Sequence, residues 1–169
     1  MQVDSLEKLY VDQLRDIYDA ENQLVRALPK MAKAASSAEL RSAFEEHLEQ
    51  TREHVHRLDE IFQTLGHPSK GKSCKAMVGL IEEGEEIMKN DAEPAIRDAG
   101  LIAAAQKVEH YEIASYGTLR TFAEFRGDKK AALALQETLD EEYQADKTLT
   151  QVAESSINAQ AVERGAGRG

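Results

Sequence analysis

Helix-breaking residues are scarce in this 169-residue sequence, and their positions divide the chain into long uninterrupted segments. They cluster at 66–73, 90–94 and 127–128 and in the Gly-rich end after Glu163. Between them the helix formers Ala, Leu, Glu, Lys and Gln dominate, and Trp is absent. The pattern predicts an all-α chain with helices at about 4–34, 37–65, 75–89, 94–126 and 128–160.

The predicted helix at 75–89 is shorter than the other four but too long for a tight turn. We therefore predict that it is a crossover between the second and third long helices. With one crossover, the four long helices are predicted to form an antiparallel, ferritin-like four-helix bundle. The length suits one domain, expected at 1–160, and residues 161–169 are predicted to form a disordered tail.

Charge and cysteine content restrict the partners and the compartment. The net charge of -10 argues against binding to nucleic acid or to anionic membranes, because both repel an acidic protein. The sequence has neither an N-terminal apolar export segment nor an apolar run long enough to span a membrane. The single Cys74 cannot form an internal disulfide, so we expect a cytoplasmic protein.

Several carboxylates fall inside the apolar stripes of the predicted helices. On a helical wheel, Glu21 lies within the stripe of the first helix. In the third long helix Glu112 lies near the centre of the stripe and Glu109 lies at its edge. In the fourth, Glu142 and Asp146 both fall on the midline. Three of the four long helices are therefore predicted to direct acids into the core.

The second helix contains Glu53-x-x-His56, which has the ligand spacing of di-iron helix bundles. The wheel argues against this pair, because it places Glu53 opposite the core and His56 about a third of a turn away from it. Inward or flanking alternatives are His54, His47 and Gln50. We select His54 as the nitrogen ligand, while a surface or flank position is favoured for His47.

Buried acids need compensating positive charge, because burying one unpaired carboxylate costs several kcal/mol. No Lys or Arg occupies the centres of these stripes. Two divalent iron or manganese ions would compensate, since carboxylates with one or two imidazoles suit these metals. The predicted metal ligands are Glu21, His54, Glu112, Glu142 and Asp146, with Glu109 able to bridge or shift.

Four segments carry a family resemblance: LRDIYDAENQLVRALPKMA, AFEEHLEQT, RDAGLIAAAQKVEHYEIASYGTLRTFAE and LQETLDEEYQADKTLT. They resemble the YciE/YciF-type family of bacterial stress-associated, ferritin-like proteins over about 4–158. The resemblance implies a rubrerythrin-like fold, a homodimer, a dinuclear iron or manganese centre and induction under osmotic or oxidative stress. By position, it assigns ligand roles to Glu21, Glu109, Glu112 and Glu142.

The sequence also departs from the wider ferritin-like pattern. Where that pattern has a second Glu-x-x-His, this chain has 142–145 as EYQA, with Asp146 next. Family members often carry Glu at the position of Gln50 and Gln at that of His54. Compared with them, this chain lacks the acid at position 50 and gains an imidazole at position 54. A Cys-x-x-Cys pair is absent, so the rubredoxin-type electron-transfer module is missing.

Two functional hypotheses follow from these features. The first is a stress-protective di-metal oxidoreductase of the ferroxidase or catalase type, which oxidises Fe(II) or removes hydrogen peroxide, with peroxide or dioxygen as the small-molecule oxidant. The second is a non-enzymatic, dimeric stress or interaction protein with a vestigial metal site. Metal content discriminates between them.

Overall fold

A computed structural model describes residues 3–166, and every regular element in this part of the chain is helical. None of these helices has the length and apolar character needed to cross a membrane. The all-α prediction is confirmed, and the first four predicted helices begin and end within two residues of the observed ones. The observed elements are α1 (Leu6–Ala34), α2 (Ala38–Leu65), α3 (Lys75–Lys89), α4 (Pro94–Phe125), α5 (Lys129–Val152), a π-helical turn (Ala153–Ile157) and α6 (Asn158–Ala166).

Local sequence signals set the ends of the long helices. The side chains of Ser5, Ser37 and Asp128 each accept a hydrogen bond from a backbone N–H three residues later, which caps the start of α1, α2 and α5. Pro94 opens α4, where its missing N–H costs no helical hydrogen bond. Gly66 ends α2 with a φ of 68°, a left-handed conformation that glycine adopts without strain.

The long helices share one core. α1 packs against α2 and α4 packs against α5, so each short connection closes a helical hairpin. The hairpins meet where α2 contacts α5 and α1 contacts α4, while α3 lies against α1 and α4. The largest fully buried side chains come from all five of these helices: Tyr10, Tyr116, Phe44, Leu14, Ile17, Leu24, Leu40, Leu58, Met77, Leu101, Leu119 and Leu135.

The buried acid Asp98 has a structural role in the fold. The carboxylate of Asp98 on α4 accepts hydrogen bonds from the backbone N–H groups of Ser36 and Ser37, at 2.9 and 2.7 Å. Ser37 is the N-cap of α2, so a negative charge lies at the positive end of that helix. Asp98 therefore fastens the connection between α1 and α2 to α4.

The C-terminal part of the chain differs from the prediction. The helix predicted at 128–160 is interrupted at Ala153–Ile157, where the Asn158 N–H bonds to the Ala153 carbonyl five residues back. The Ser155 hydroxyl donates to the Val152 carbonyl, and this competition with the backbone widens the turn. The predicted disordered tail, 161–169, is helical as far as Ala166 because α6 packs against α4, and 167–169 lie outside the described residues.

Candidate metal centre

Six acidic or imidazole side chains from the four long helices are buried together in the core. They are Glu21 from α1, His47 and His54 from α2, Glu109 and Glu112 from α4, and Glu142 from α5. Residues three or seven positions apart share one helix face, which explains why each pair on α2 and α4 points the same way. The helical period thus sets the face on which each side chain lies, and the packing of the four helices brings the six together.

These side chains form two groups, each compact enough to hold a metal ion. One group is His47, Glu109, Glu112 and Glu142, and the other is Glu21, His54 and Glu142. Within each group the ligand atoms lie within 4.8 Å of one another. Because Glu142 belongs to both groups, the two positions are adjacent and share one carboxylate.

Each imidazole directs one nitrogen at two carboxylates. His47 Nε2 lies 3.3 Å from Glu109 Oε1 and 3.7 Å from Glu142 Oε2. His54 Nδ1 lies 3.1 Å from Glu142 Oε1 and 3.4 Å from Glu21 Oε1. Ligands at about 2.1 Å from one octahedral ion are separated by about 3 Å, so these spacings need little adjustment to bind metal.

The opposite nitrogen of each imidazole is held by an outer partner. His54 Nε2 lies 2.8 Å from Glu141 Oε2, and Arg57 Nη2 donates to Glu141 Oε1 at 3.1 Å. His47 Nδ1 lies 3.3 Å from Gln50 Oε1. An N–H donated outward leaves the inward nitrogen as a lone-pair ligand, which is the arrangement that metal-binding histidines use.

Burial and charge perturb the acids of the centre. Burial first, and then the charges of Glu142 and Glu21, raise the pKa values of Glu109 and Glu112 well above their ordinary value. Burial also raises the pKa of Glu142, but the hydrogen bond from His54 and the charge of His47 outweigh it and lower that pKa overall. The acids are therefore crowded enough that Glu109 and Glu112 favour their protonated forms in the absence of a bound cation.

The pKa values of His54 and of its outer partner Glu141 are shifted in opposite directions. Burial lowers the pKa of His54, but Glu21, Glu141 and Glu142 outweigh that effect and raise it to about 12. Burial raises the pKa of Glu141, but hydrogen bonds from His54 and Arg57 outweigh it and lower the pKa to about 2. The surrounding acids therefore favour the protonated form of His54.

Unpartnered polar atoms test whether a metal pair suits these residues. Both carboxylate oxygens of Glu112 are buried without a hydrogen-bond partner, as are Glu109 Oε2 and His47 Nε2. Such atoms are expensive to bury unless something binds them. Two divalent ions would supply four positive charges to four glutamates, and carboxylate-imidazole sets suit iron or manganese. The residues fit a pair of such ions.

Tyr116 lies beside this centre, on α4. Its side chain is fully buried, its hydroxyl donates to Glu21 Oε1, and its ring centroid is 6.1 Å from that of His54. Burial and then the charge of Glu21 raise the pKa of Tyr116 above its ordinary value, so the phenol keeps its proton. Tyr116 thus fixes one oxygen of Glu21 and leaves Oε2 without a partner.

The structure brings together five of the six predicted ligands and places the sixth outside both groups. Asp146 lies one helical turn beyond Glu142, displaced along the axis by about 6 Å. Its Oδ1 accepts from Gln106 at 3.1 Å, and its Oδ2 lies 3.4 Å from Nε2 of the exposed His110. The grouped ligands are Glu21, His54, Glu109, Glu112 and Glu142.

The candidate ligands on α2 differ in burial. The side chains of Glu53 and His56 are 57% and 66% exposed, in agreement with the wheel. His47 is buried and grouped with the acids, so its expected surface or flank position is wrong. Its seven-residue spacing from His54 was the available signal, because two turns of helix return to the same face.

Glu141 was missed because it lies about 100° around α5 from Glu142, outside the apolar stripe. Its role depends on its neighbour His54 from α2, which the sequence of α5 does not reveal. No spacing within α5 indicates such a contact between helices.

Comparisons with known proteins agree with this architecture. Residues 5–162 match the family model described as Domain of unknown function (DUF892). The chain is 47% identical to Protein YciF of Escherichia coli strain K12 over 162 residues, which cover 95% of this chain and 98% of YciF.

Solved structures give the same result. The crystal structure of the E. coli stress protein YciF matches with a TM-score of 0.89 and 47% identity, covering 92% of this chain and 99% of that one. YcfI from Rhodopseudomonas palustris matches with a TM-score of 0.85 and 41% identity, covering 88% and 95%. A Xanthomonas campestris protein, 20% identical with a TM-score of 0.74, shares the fold. The resemblance in the sequence is thereby confirmed: the chain is a relative of the stress protein YciF and belongs to the DUF892 family.

Proposed function

We propose that this chain is a stress-protective protein with a dinuclear iron or manganese centre, which oxidises Fe(II) or removes hydrogen peroxide. One observation carries the proposal: two adjacent groups of buried ligands, each with an imidazole, share Glu142. A shared carboxylate between two positions is the arrangement that lets two ions act on one small molecule. The relative YciF, described as a stress protein, supports the physiological setting.

The packing of the helices supports a specific bundle topology that suits such a centre. We propose that α1, α2, α4 and α5 form an antiparallel, ferritin-like four-helix bundle and that α3 is the crossover between its two hairpins. In such bundles the ligands of a metal pair project inward from all four helices. The packing of α1 on α2 and of α4 on α5 supports this topology. The bundle would constitute a single domain.

Each residue of the centre then has a defined task. Glu142 would bridge the two ions, while His47 and His54 would each bind one of them. The ions would supply two one-electron changes at one place, so that a peroxide could be reduced without release of radicals. Glu109 and Glu112 hold protons most strongly, so they would release them on metal binding and accept them during turnover.

Three residues around the ligand groups, Glu141, Gln50 and Tyr116, would orient the ligands and maintain the charge of the ligands. Glu141 would keep the Nδ1 lone pair of His54 directed at the centre, and Gln50 would do the same for Nε2 of His47. Tyr116 would hold Glu21 in place. We also propose a cytoplasmic homodimer. The net charge of -10 supports the proposal that it does not bind nucleic acid or anionic membranes.

A second function is favoured by one specific observation. The raised pKa of His54 provides a positive charge between Glu21 and Glu142 without any metal. Protons on Glu109 and Glu112 would remove most of the remaining charge. A protein stabilised in this way would be a non-enzymatic, dimeric stress or interaction protein with a vestigial site.

Elemental analysis of protein purified without chelators tests the proposal. We expect about two Fe or Mn per chain in the parent and little in a Glu112→Ala, Glu142→Ala double variant. The matched control is Glu49→Ala, Glu53→Ala, because these two glutamates on α2 are exposed. A parent that is metal-free and cannot be reconstituted with Fe(II) or Mn(II) would support the non-enzymatic reading.

A further inference from the structure

A cavity of about 60 Å³ lies between the four long helices and reaches the His47 side of the centre. Its walls include Leu24 and Leu28 from α1, Phe44 from α2 and Leu149 from α5. His47 and Glu109 line it too, and both are buried. The cavity therefore connects one of the two ligand groups with an apolar chamber.

The cavity has an outer side as well as an inner one. Glu46 and Gln144 line it and are exposed, whereas Ala43 and Ala145 beside them are half-buried. A molecule in the cavity would thus pass polar side chains first, then apolar walls, and finally meet His47. At that inner side, His47 Nε2 and Glu109 Oε2 have no hydrogen-bond partner.

We propose that this cavity binds the alkyl group of a short-chain organic hydroperoxide and directs its peroxide group at the His47 side of the centre. The inference rests on the proposed function, to which it adds a substrate class. Apolar walls favour a carbon chain over hydrogen peroxide, because each buried methylene tightens binding about fourfold. The exposed Glu46 at the outer side disfavours anions such as carboxylates, so an uncharged head group is favoured.

The size of the cavity limits the chain length. A cavity of roughly 150 Å³ is needed to hold benzene, which has six heavy atoms. The cavity here is less than half as large, so it suits ligands of the size of ethyl hydroperoxide. Larger hydroperoxides would have to leave part of their carbon chain outside.

The chemistry balances with Fe(II) as the co-substrate. The hydroperoxide O–O bond breaks as it takes up two protons and one electron from each of two Fe(II) ions. The products are an alcohol, a water molecule and two Fe(III) ions. The alcohol is therefore both the product and an unreactive probe for the cavity.

Binding to the metal-free protein tests the cavity directly. Methanol, ethanol and 1-propanol are titrated separately, and chemical shifts are followed by NMR at residues that line the cavity. We expect the affinity for 1-propanol to exceed that for methanol by about fifteenfold, from the two added methylenes. Affinities that do not rise with chain length, or shift changes located elsewhere, would overturn the proposal.

Two variants fill the cavity from two different helices. Ala145→Leu on α5 and Ala43→Leu on α2 both replace half-buried residues, so neither should prevent folding. Both are expected to weaken 1-propanol binding at least tenfold. The matched control is Ala114→Leu on α4, an exposed position outside the cavity, which should bind like the parent. Unchanged binding in both filled variants would contradict the proposal.

A second assay separates this inference from the proposed function. Single-turnover Fe(II) oxidation is measured with ethyl hydroperoxide and with hydrogen peroxide. In Ala145→Leu, we expect the rate with ethyl hydroperoxide to fall at least tenfold more than the rate with hydrogen peroxide. Alcohol binding without any Fe(II) oxidation would overturn the proposed function and leave the cavity as a ligand site. Fe(II) oxidation by hydrogen peroxide without alcohol binding would overturn only the cavity proposal.

Discussion

His54 Nε2 lies 2.8 Å from Glu141 Oε2, and this contact between α2 and α5 determines which nitrogen of His54 faces the acids. With Nε2 turned outward, Nδ1 lies 3.1 Å from Glu142 and 3.4 Å from Glu21. Arg57 fixes Glu141 from its other side. The orientation of a buried imidazole therefore depends on a partly exposed acid that is outside both ligand groups.

Removing this acid should weaken metal binding without removing a ligand. We expect Glu141→Ala to lower the affinity for Mn(II) or Fe(II) about 10- to 100-fold, because histidines without an outer partner lose orientation and basicity. Affinity is measured by competition with a chelator, and the His54 tautomer by nitrogen NMR. Glu137→Ala is the matched control, because Glu137 also contacts Arg57 but is 64% exposed. Equal losses in the two variants would contradict an orienting role for Glu141.

The pKa shifts predict how the stability of the metal-free protein changes with pH. Glu109 and Glu112 have raised pKa values, so they favour the unfolded chain increasingly as pH rises above about 4.5. The contribution of His54 is complete below its unfolded value of 6.5 and is lost as pH rises towards about 12. The lowered pKa values of Glu141 and Glu142 act only below about pH 4.5, where their contribution is lost on acidification.

Above pH 4.5, the contributions of Glu109, Glu112 and His54 thus change in the same direction. Calorimetry of the metal-free protein should give a higher Tm at pH 5.5 than at pH 8. Metal binding requires deprotonated ligands, so the increase in Tm caused by Mn(II) should instead be larger at pH 8. A metal-free protein that is more stable at pH 8 would contradict the assignment of protons to these acids.

Replacing Glu112 should raise the stability of the metal-free protein but weaken its metal binding. Both oxygens of Glu112 are buried without a partner, so Glu112→Met should stabilise the metal-free protein by about 1–3 kcal/mol. For a chain of this length the Tm rises by about 2–4 °C per kcal/mol. The same variant should lose metal binding at the His47 position. Glu53→Met on the exposed face of α2 is the control, and its Tm should change little.

Asp98 provides a test of the fold that is independent of the site. Asp98→Ala leaves the Ser36 and Ser37 N–H groups without their acceptors, so we expect a loss of about 2–3 kcal/mol in the free energy of unfolding. Denaturant unfolding measures the loss, and metal content should stay at the parental level. A variant as stable as the parent would contradict the fastening role of Asp98.

Helical periodicity was sufficient to predict much of the candidate site. Glu21, Glu112 and Glu142 lie within apolar stripes, and a single helix is enough to recognise such a position. Asp146 satisfied the same criterion but is displaced by one turn along α5 and bonds to Gln106. A wheel projects every residue onto one plane, so it retains the direction of a side chain and discards its height along the axis.

The remaining features depend on contacts between helices. Asp98 bonds to the connection between α1 and α2, and Glu141 bonds to His54 on α2. No spacing along α4 or α5 indicates those partners. The π-helical turn depends on a local competition between the Ser155 hydroxyl and the backbone, which breaker residues do not mark. The helix boundaries, in contrast, follow from local signals such as Gly66 and Pro94, and they were predicted well.

The central claim is that two metal ions lie side by side and share Glu142. Anomalous diffraction from crystals loaded with Mn(II) tests it most directly, because it locates the ions independently of activity. We predict two peaks about 3.5–4 Å apart, one beside His47 and one beside His54, with the Glu142 carboxylate between them. A single peak, peaks that Glu142 does not reach, or no peak after loading would contradict the account.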